Sequence, residues 1–116
     1  MPSNAPFDSK ALAAATGGDG ALARELLALY AVRAERLSDD LRTAPLAKRR
    51  ALRDLAHGAR GSALAVGAAQ VAQAAADLEA AAAEGGDAER IGRARDRLLI
   101  LIEESRRAAL RTAGEG

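Results

Sequence analysis

Apolar residues recur at intervals of three and four along most of the chain, which is the spacing of one face of an α-helix. Capping and helix-breaking residues divide this pattern into five segments. A short first helix should begin after Asp8 and end at Gly17, because aspartate is a favoured N-cap and glycine a favoured C-cap. A second helix should begin after Asp19 and run to about Arg42.

The remaining capping residues predict three further helices. Pro45 is expected in the first turn of the third, where its missing N–H is not needed, and this helix should run to about Val66 and stop at Gly67. A fourth should end at Gly85, and Asp87 should cap a fifth. Because the connections are short, we expect the four long helices to be antiparallel neighbours.

The sequence therefore predicts an all-α fold, an antiparallel up-down four-helix bundle with a short extra N-terminal helix. We expect a single domain over residues 1–116, with frayed ends at 1–7 and 112–116. The expected core faces carry the following residues at helical spacing: Leu22, Leu26, Leu29 and Leu37 on the second helix; Leu52, Leu55, Ala56, Ala59 and Ala63 on the third; Val71, Ala75, Leu78 and Ala82 on the fourth; Ile91, Leu98, Leu101 and Ser105 on the fifth.

The composition favours helices that pack closely through small side chains. Alanine and leucine are abundant, tryptophan is absent, and the chain has one Phe and one Tyr, which does not suit a β-sandwich. The absence of cysteine excludes disulfides and thiolate metal sites. No apolar run is long enough to span a membrane and no signal-peptide pattern is present, so we expect a cytoplasmic protein without a membrane partner.

The charges are unevenly distributed, although the formal net charge is only +1. Between positions 42 and 60 there is one acidic residue, Asp54, and there are six basic residues, which we call the basic strip. The basic strip consists of Arg42, Lys48, Arg49, Arg50, Arg53 and Arg60. The same segment holds the only histidine, His57, and two glycines, Gly58 and Gly61, each of which destabilises a helix by about 0.5–1 kcal/mol relative to alanine.

His57 is predicted to be an exposed nucleophile. It follows the expected core residue Ala56, and one step along a helix turns the side chain by about 100°, away from the core. Arg60 lies on the same face and could bind phosphoryl oxygens, while Gly61 leaves the approach to the imidazole open. Histidine forms covalent intermediates, and phosphoryl transfer depends mainly on positioning and charge stabilisation. The alternative for His57 and Arg60 is an ordinary surface position, and the alternative for Gly58 and Gly61 is tolerance of small residues where helices pack.

Glu79 is the expected partner of the imidazole. His57 lies ten residues before the turn at Gly67 and Glu79 twelve residues after it, so the two lie about 15 Å and about 18 Å from the turn on adjacent antiparallel helices. Side chains lean toward the N-terminus of their own helix, which closes the offset. The carboxylate would then accept a hydrogen bond from Nδ1 and leave Nε2 as the nucleophile.

These residues belong to a pattern that resembles the signature of histidine-containing phosphotransfer (HPt) domains. The matching stretches are "AHGARGSALAVGA" from position 56 and "LEAAA" from position 78. The matched positions are Ala56, His57, Arg60, Gly61, Ser62, Gly67, Ala68, Leu78 and Glu79. The segment "FDSKALAAATGGDGALARELLALY" is also similar to the family's N-terminal region, so the resemblance covers nearly the whole chain. The chain departs from the family pattern at two positions. Arg60 stands where the family usually has a lysine, and Gly58 stands where it commonly has a larger residue.

The resemblance implies a phosphorelay intermediate of two-component signalling. His57 would take a phosphoryl group from the aspartate of one receiver domain, in a response regulator or a hybrid histidine kinase, and pass it to another. No cofactor is implied for this chain, since the Mg²⁺ belongs to the receiver. We expect a monomer that docks acidic receiver sites through complementary charge and adjacent apolar side chains. The predicted docking residues are Arg50, Arg53, Leu64, Leu12 and Leu22.

The sequence leaves other functions open. The chain could be the phosphoacceptor of a split chemotaxis-type histidine kinase, loaded by ATP through a separate catalytic subunit, or a helical adaptor in which His57 is incidental. Nucleic-acid binding is disfavoured because the basic strip lacks aromatic stacking groups. A metal enzyme is disfavoured because one histidine and no cysteine leave only carboxylates as further ligands. ATP binding by this chain is not expected, since there is no glycine-rich phosphate loop.

Overall fold

The computed structural model describes residues 5–114, and every regular element in that range is an α-helix. The helices are α1 (Ser9–Thr16), α2 (Gly20–Thr43), α3 (Arg49–Val66), α4 (Ala69–Ala83) and α5 (Ala88–Gly114). The prediction of an all-α fold with a short first helix and four long helices is confirmed.

Side-chain caps fix where three of the helices begin. Asp8 accepts hydrogen bonds from the backbone N–H groups of residues 10 and 11, and Asp19 from those of residues 21 and 22. Asp87 accepts the N–H of residue 90 at 2.7 Å. α1 and α3 end at Gly17 and Gly67, both with positive φ, which glycine adopts without a Cβ clash. The predicted caps at these positions are confirmed.

The start of α3 differs from the prediction. Pro45 does not lie in the first helical turn; its carbonyl accepts the N–H of Lys48 at 2.9 Å and closes a turn, and the helix begins at Arg49. Within that turn Leu46 is partly buried against the core, and its Cδ1 lies 3.6 Å from where a Cβ on Gly92 of α5 would be. Packing of Leu46 thus overrides the local preference of proline for a helix start.

Each long helix packs against two of the other long helices. α2 contacts α3 and α5, and α4 contacts α3 and α5, so that these four helices close a ring around one core. α1 contacts α2 and α3, and its N-cap is tied to the α3–α4 turn because Asp8 N–H donates to the Gly67 carbonyl at 2.8 Å. A Cβ at Gly67 would lie 3.0 Å from both Ala11 Cβ and the Asp8 carbonyl oxygen, so this close approach requires glycine.

The expected core faces are largely confirmed, but that of α2 is wrong in two positions. On α3 the expected residues are buried except Leu55, and on α5 except Leu101, each of which is half-buried. On α2, Leu22 and Leu29 are exposed and Leu26 is half-buried. The buried face of α2 consists of Leu27, Tyr30, Ala31, Ala34, Leu37, Ser38 and Leu41. The spacing of the leucines alone misses this face because alanine, serine and tyrosine form most of it.

A buried hydrogen bond crosses the core between α2 and α5. Tyr30 OH lies 2.7 Å from Ser105 Oγ, which itself donates to the Ile102 carbonyl at 2.8 Å, so Tyr30 is the donor in the first bond. Burial raises the pKa of Tyr30, and the bond to Ser105 partly offsets this effect. Phe7 packs edge-on against the Tyr30 ring, with the ring centroids 5.8 Å apart.

The chain ends for which the sequence predicts fraying lie partly within the described residues. α5 continues through Gly114, so residues 112–114 are helical. Phe7 is partly buried against the core and packs on the Tyr30 ring. The rest of the predicted frayed ends, residues 1–4 and 115–116, lies outside the described residues.

Candidate functional site

α3 presents His57 to solvent. Ala56 and Ala59 on the same helix are buried in the core, and this burial fixes the rotation of the helix. The His57 side chain, turned about 100° from Ala56, is 74% exposed. The exposure predicted for the only histidine is therefore confirmed.

The structure brings Glu79 of α4 to the imidazole. Glu79 follows the fully buried Leu78 and is itself 26% exposed, and its Oε2 lies 3.1 Å from Nδ1 of His57. A carboxylate can only accept a hydrogen bond, so Nδ1 carries the proton in this pair, and in the neutral ring the lone pair is then on Nε2. Nε2 has no hydrogen-bond partner among residues 5–114.

Arg60 lies one turn beyond His57 and shares the same carboxylate. Its Nη1 is 3.9 Å from Oε1 of Glu79, which is an ion pair longer than a hydrogen bond. Glu79 thus faces the imidazole with one oxygen and the guanidinium with the other. Exposed ion pairs of this kind are weak, so the guanidinium can turn toward a group bound at Nε2.

The two glycines beside His57 have different surroundings. A Cβ at Gly61 would have no heavy atom within 4 Å, so no neighbouring helix needs the side chain to be absent. This excludes helix packing as the reason for Gly61. Gly58 is half-buried, and a Cβ there would lie 3.3 Å from Nη2 of Arg33 on α2.

The predicted docking residues differ in how accessible they are. Arg50 and Arg53 are exposed and line a shallow groove beside the end of α4. Leu64 is 60% exposed and Leu22 is 40% exposed, so both side chains are accessible to a partner. Leu12 is half-buried and packs against the core, so its structural role is clear and its docking role remains a prediction.

The exposed arginines without an ion-pair partner in residues 5–114 are not the same set as the basic strip. Arg42 pairs with Asp39 at 2.9 Å, which compensates its charge. Arg33, which no motif in the sequence indicates, brings a guanidinium from α2 to the surface beside Gly58. Gly58 is the sequence feature that could indicate such a neighbour, but helix periodicity does not say which side chain of another helix lies over a glycine.

The described residues form neither a metal cluster nor a membrane-spanning segment. No three carboxylate or histidine side chains in residues 5–114 come together as a potential metal site. None of the helices in that range has an apolar stretch long enough to cross a membrane. No known protein family, curated protein or solved structure matches the chain.

The geometry supports nucleophilic attack by the imidazole. In the neutral ring the lone pair is on Nε2, and Glu79 holds the ring by the opposite nitrogen. When Nε2 forms a bond, the ring becomes positively charged, and the adjacent carboxylate stabilises that charge. Arg60 supplies a cation one turn away, which suits an electrophile that carries negative charge.

Proposed function

We propose that this protein is a histidine phosphotransfer protein, a phosphorelay intermediate between receiver domains. His57 accepts the phosphoryl group from the phosphoaspartate of one receiver and passes it to the aspartate of another. The observation that carries the proposal is the exposed His57 imidazole whose Nδ1 lies 3.1 Å from Glu79. The resemblance of the surrounding sequence to HPt domains also supports it.

The proposed scaffold is an antiparallel up-down four-helix bundle of α2 to α5, with α1 as the extra helix. The closed ring of contacts among these four helices and the short connections between them support this arrangement. Two packed helices suit a group-transfer site because they hold the reacting atoms in place.

In the transfer step, the lone pair of His57 Nε2 attacks the phosphorus of the receiver's acyl phosphate. The N–P bond forms as the P–O bond to the aspartate breaks, and the carboxylate leaves with the bonding electron pair. The ring becomes cationic because Nδ1 keeps its proton, and Glu79 stabilises this charge. The reverse sequence transfers the phosphoryl group to the second receiver.

Arg60 and Gly61 act on the incoming group. The Arg60 guanidinium binds phosphoryl oxygens, whose charge is about −1.5 to −2 at neutral pH. Gly61 leaves the space above the helix open for the receiver's active site, since a Cβ there would meet nothing within 4 Å. The receiver supplies the Mg²⁺ for the reaction.

The proposal is tested by incubating the purified protein with a panel of phosphorylated receiver domains and Mg²⁺. We expect label to move to this protein in an acid-labile, alkali-stable form and then to a second, unphosphorylated receiver. His57→Gln should take no label, and equal labelling of this variant would contradict the proposal. If His57 is phosphorylated only by ATP and a separate kinase domain, the result would support the chemotaxis-type alternative. If the protein binds a partner but no phosphoryl group is transferred, the result would support the adaptor alternative.

A further inference from the structure

Arg33 of α2 places its guanidinium over Gly58, the residue that follows the proposed phosphoacceptor. Its Nη2 lies 3.3 Å from where a Cβ on Gly58 would be. The directions of residues 57 and 58 differ by about 100° around α3. The guanidinium therefore lies over the face of α3 that adjoins the face carrying the imidazole. Gly61, one turn further on, lies between these two directions and has open space above it. Gly61 therefore places no side chain between the two groups.

Arg33 has no ion-pair partner among residues 5–114, in contrast to Arg60. Arg60 and the imidazole share the Glu79 carboxylate. Over residues 5–114, no carboxylate lies within ion-pair distance of Arg33, including Asp54, one turn before Gly58 on α3. An exposed, unpaired guanidinium beside a nucleophile is suited to binding a phosphoryl group of charge about −1.5 to −2.

We propose that Arg33 is a second phosphoryl-binding residue, which contacts the phosphoryl oxygens on His57 Nε2 from α2 while Arg60 contacts them from α3. This inference rests on the proposed function. Glu79 stays paired with the cationic ring, and the two guanidinium groups offset the phosphoryl charge from two sides. The inference also accounts for Gly58, because a larger side chain there would occupy the space in which the Arg33 guanidinium lies.

Phosphoramidate, a small phosphoryl donor, tests the inference without a receiver. His57 Nε2 attacks its phosphorus, the P–N bond of the donor breaks, and the donor's protonated amine leaves as ammonia with the bonding electron pair. The loading rate is compared among the wild type, Arg33→Gln, Arg33→Lys and the matched control Arg97→Gln. Arg97 is also exposed, has no carboxylate within ion-pair distance in the described part of the chain, and lies on α5, which does not contact α3.

We expect Arg33→Gln to slow loading by about tenfold, which corresponds to a change of about 1.4 kcal/mol in the barrier. Arg33→Lys should retain most of the rate, and Arg97→Gln should load as fast as the wild type. The ³¹P chemical shift of the phosphohistidine should change in Arg33→Gln and not in Arg97→Gln. That shift reports contact with the phosphoryl group, which a merely structural role would not alter, and circular dichroism checks that each variant is folded.

The outcomes separate the two proposals. If the wild type is loaded and Arg33→Gln matches it in both rate and ³¹P shift, the role of Arg33 is overturned and the proposed function stands. If Arg33→Gln and Arg97→Gln lose rate equally, the effect is one of general charge and the specific contact is overturned. If neither phosphoramidate nor any phosphorylated receiver loads the wild type, both proposals are overturned.

Discussion

Oε2 of Glu79 and Nδ1 of His57 lie 3.1 Å apart, although the two residues are 22 positions apart in sequence and belong to different helices. The residues that precede them, Leu78 and Ala56, are both fully buried. Burial of these neighbours fixes the rotation of α3 and α4, and so sets the direction in which both polar side chains leave the helices. For the neutral ring, the contact selects the tautomer with the proton on Nδ1 and the lone pair on Nε2.

Glu79→Gln should slow phosphoryl transfer to His57. Glutamine keeps an acceptor oxygen but loses the charge that stabilises the imidazolium. A hydrogen bond to a charged group contributes about 1.5–3 kcal/mol, which corresponds to a rate loss of roughly 10- to 100-fold. Rapid-quench measurement of transfer from a phosphorylated receiver checks this. The control is Glu84→Gln, which removes an exposed carboxylate beyond the end of α4 and should leave the rate unchanged. A wild-type rate in Glu79→Gln would remove Glu79 from the mechanism.

Gly61→Gln should block transfer without unfolding the protein. Glutamine is a better helix former than glycine, and the open space around Gly61 excludes overpacking, so stability should rise by about 0.5 kcal/mol. The long side chain should hinder the receiver's approach to His57, so transfer should fall steeply. Melting temperature and transfer rate are measured on the same preparation. A variant that is stable and fully active would show that access to the imidazole is not why glycine occurs at this position.

When the protein concentration is below saturation, phosphoryl transfer from a receiver should slow as ionic strength rises. The reason is that Arg50 and Arg53 are exposed and have no carboxylate within ion-pair distance in residues 5–114, while receiver phosphorylation sites are acidic. Complementary charges mainly raise the association rate and are screened by salt. The double substitution of Arg50 and Arg53 by glutamine should lower the rate at low salt and flatten its salt dependence, whereas Arg97→Gln should do neither. A salt dependence that is unchanged in the double variant would exclude these arginines from the encounter.

The features that sequence could predict depend on residues close to one another along the chain. Asp8, Asp19 and Asp87 cap helices because an aspartate accepts N–H groups two or three residues ahead of it. His57 and Glu79 are also predictable as neighbours, because a tight turn between two helices fixes the distance of each residue from that turn.

The features that sequence missed depend on contacts between distant segments. Pro45 lies outside α3 because Leu46 packs into the core instead of continuing a helix. The buried face of α2 includes Tyr30, whose hydroxyl finds Ser105, 75 positions away. Arg33 crosses to α3 over a glycine, and no local pattern indicates which side chain of another helix fills that space.

Tyr30→Phe should change how stability depends on alkaline pH. The raised pKa of the buried Tyr30 means that the fold favours the neutral phenol, so its contribution is complete below the unfolded pKa near 10 and is lost as pH rises above that value. At pH 8 the variant should be less stable by about 1 kcal/mol, because one buried hydrogen bond is lost. Above pH 10 the difference should shrink, because phenylalanine does not titrate. Urea unfolding across this range checks the prediction, and a constant difference at all pH values would contradict it.

The most direct test of the central claim is to locate the phosphoryl group in the loaded protein. Correlated ³¹P and ¹⁵N NMR of protein loaded by a phosphorylated receiver identifies the nitrogen bonded to phosphorus. The orientation imposed by Glu79 predicts a single phosphohistidine at His57, with phosphorus on Nε2 and the proton on Nδ1. Phosphorus on Nδ1, or a loaded protein with no phosphohistidine, would contradict the account.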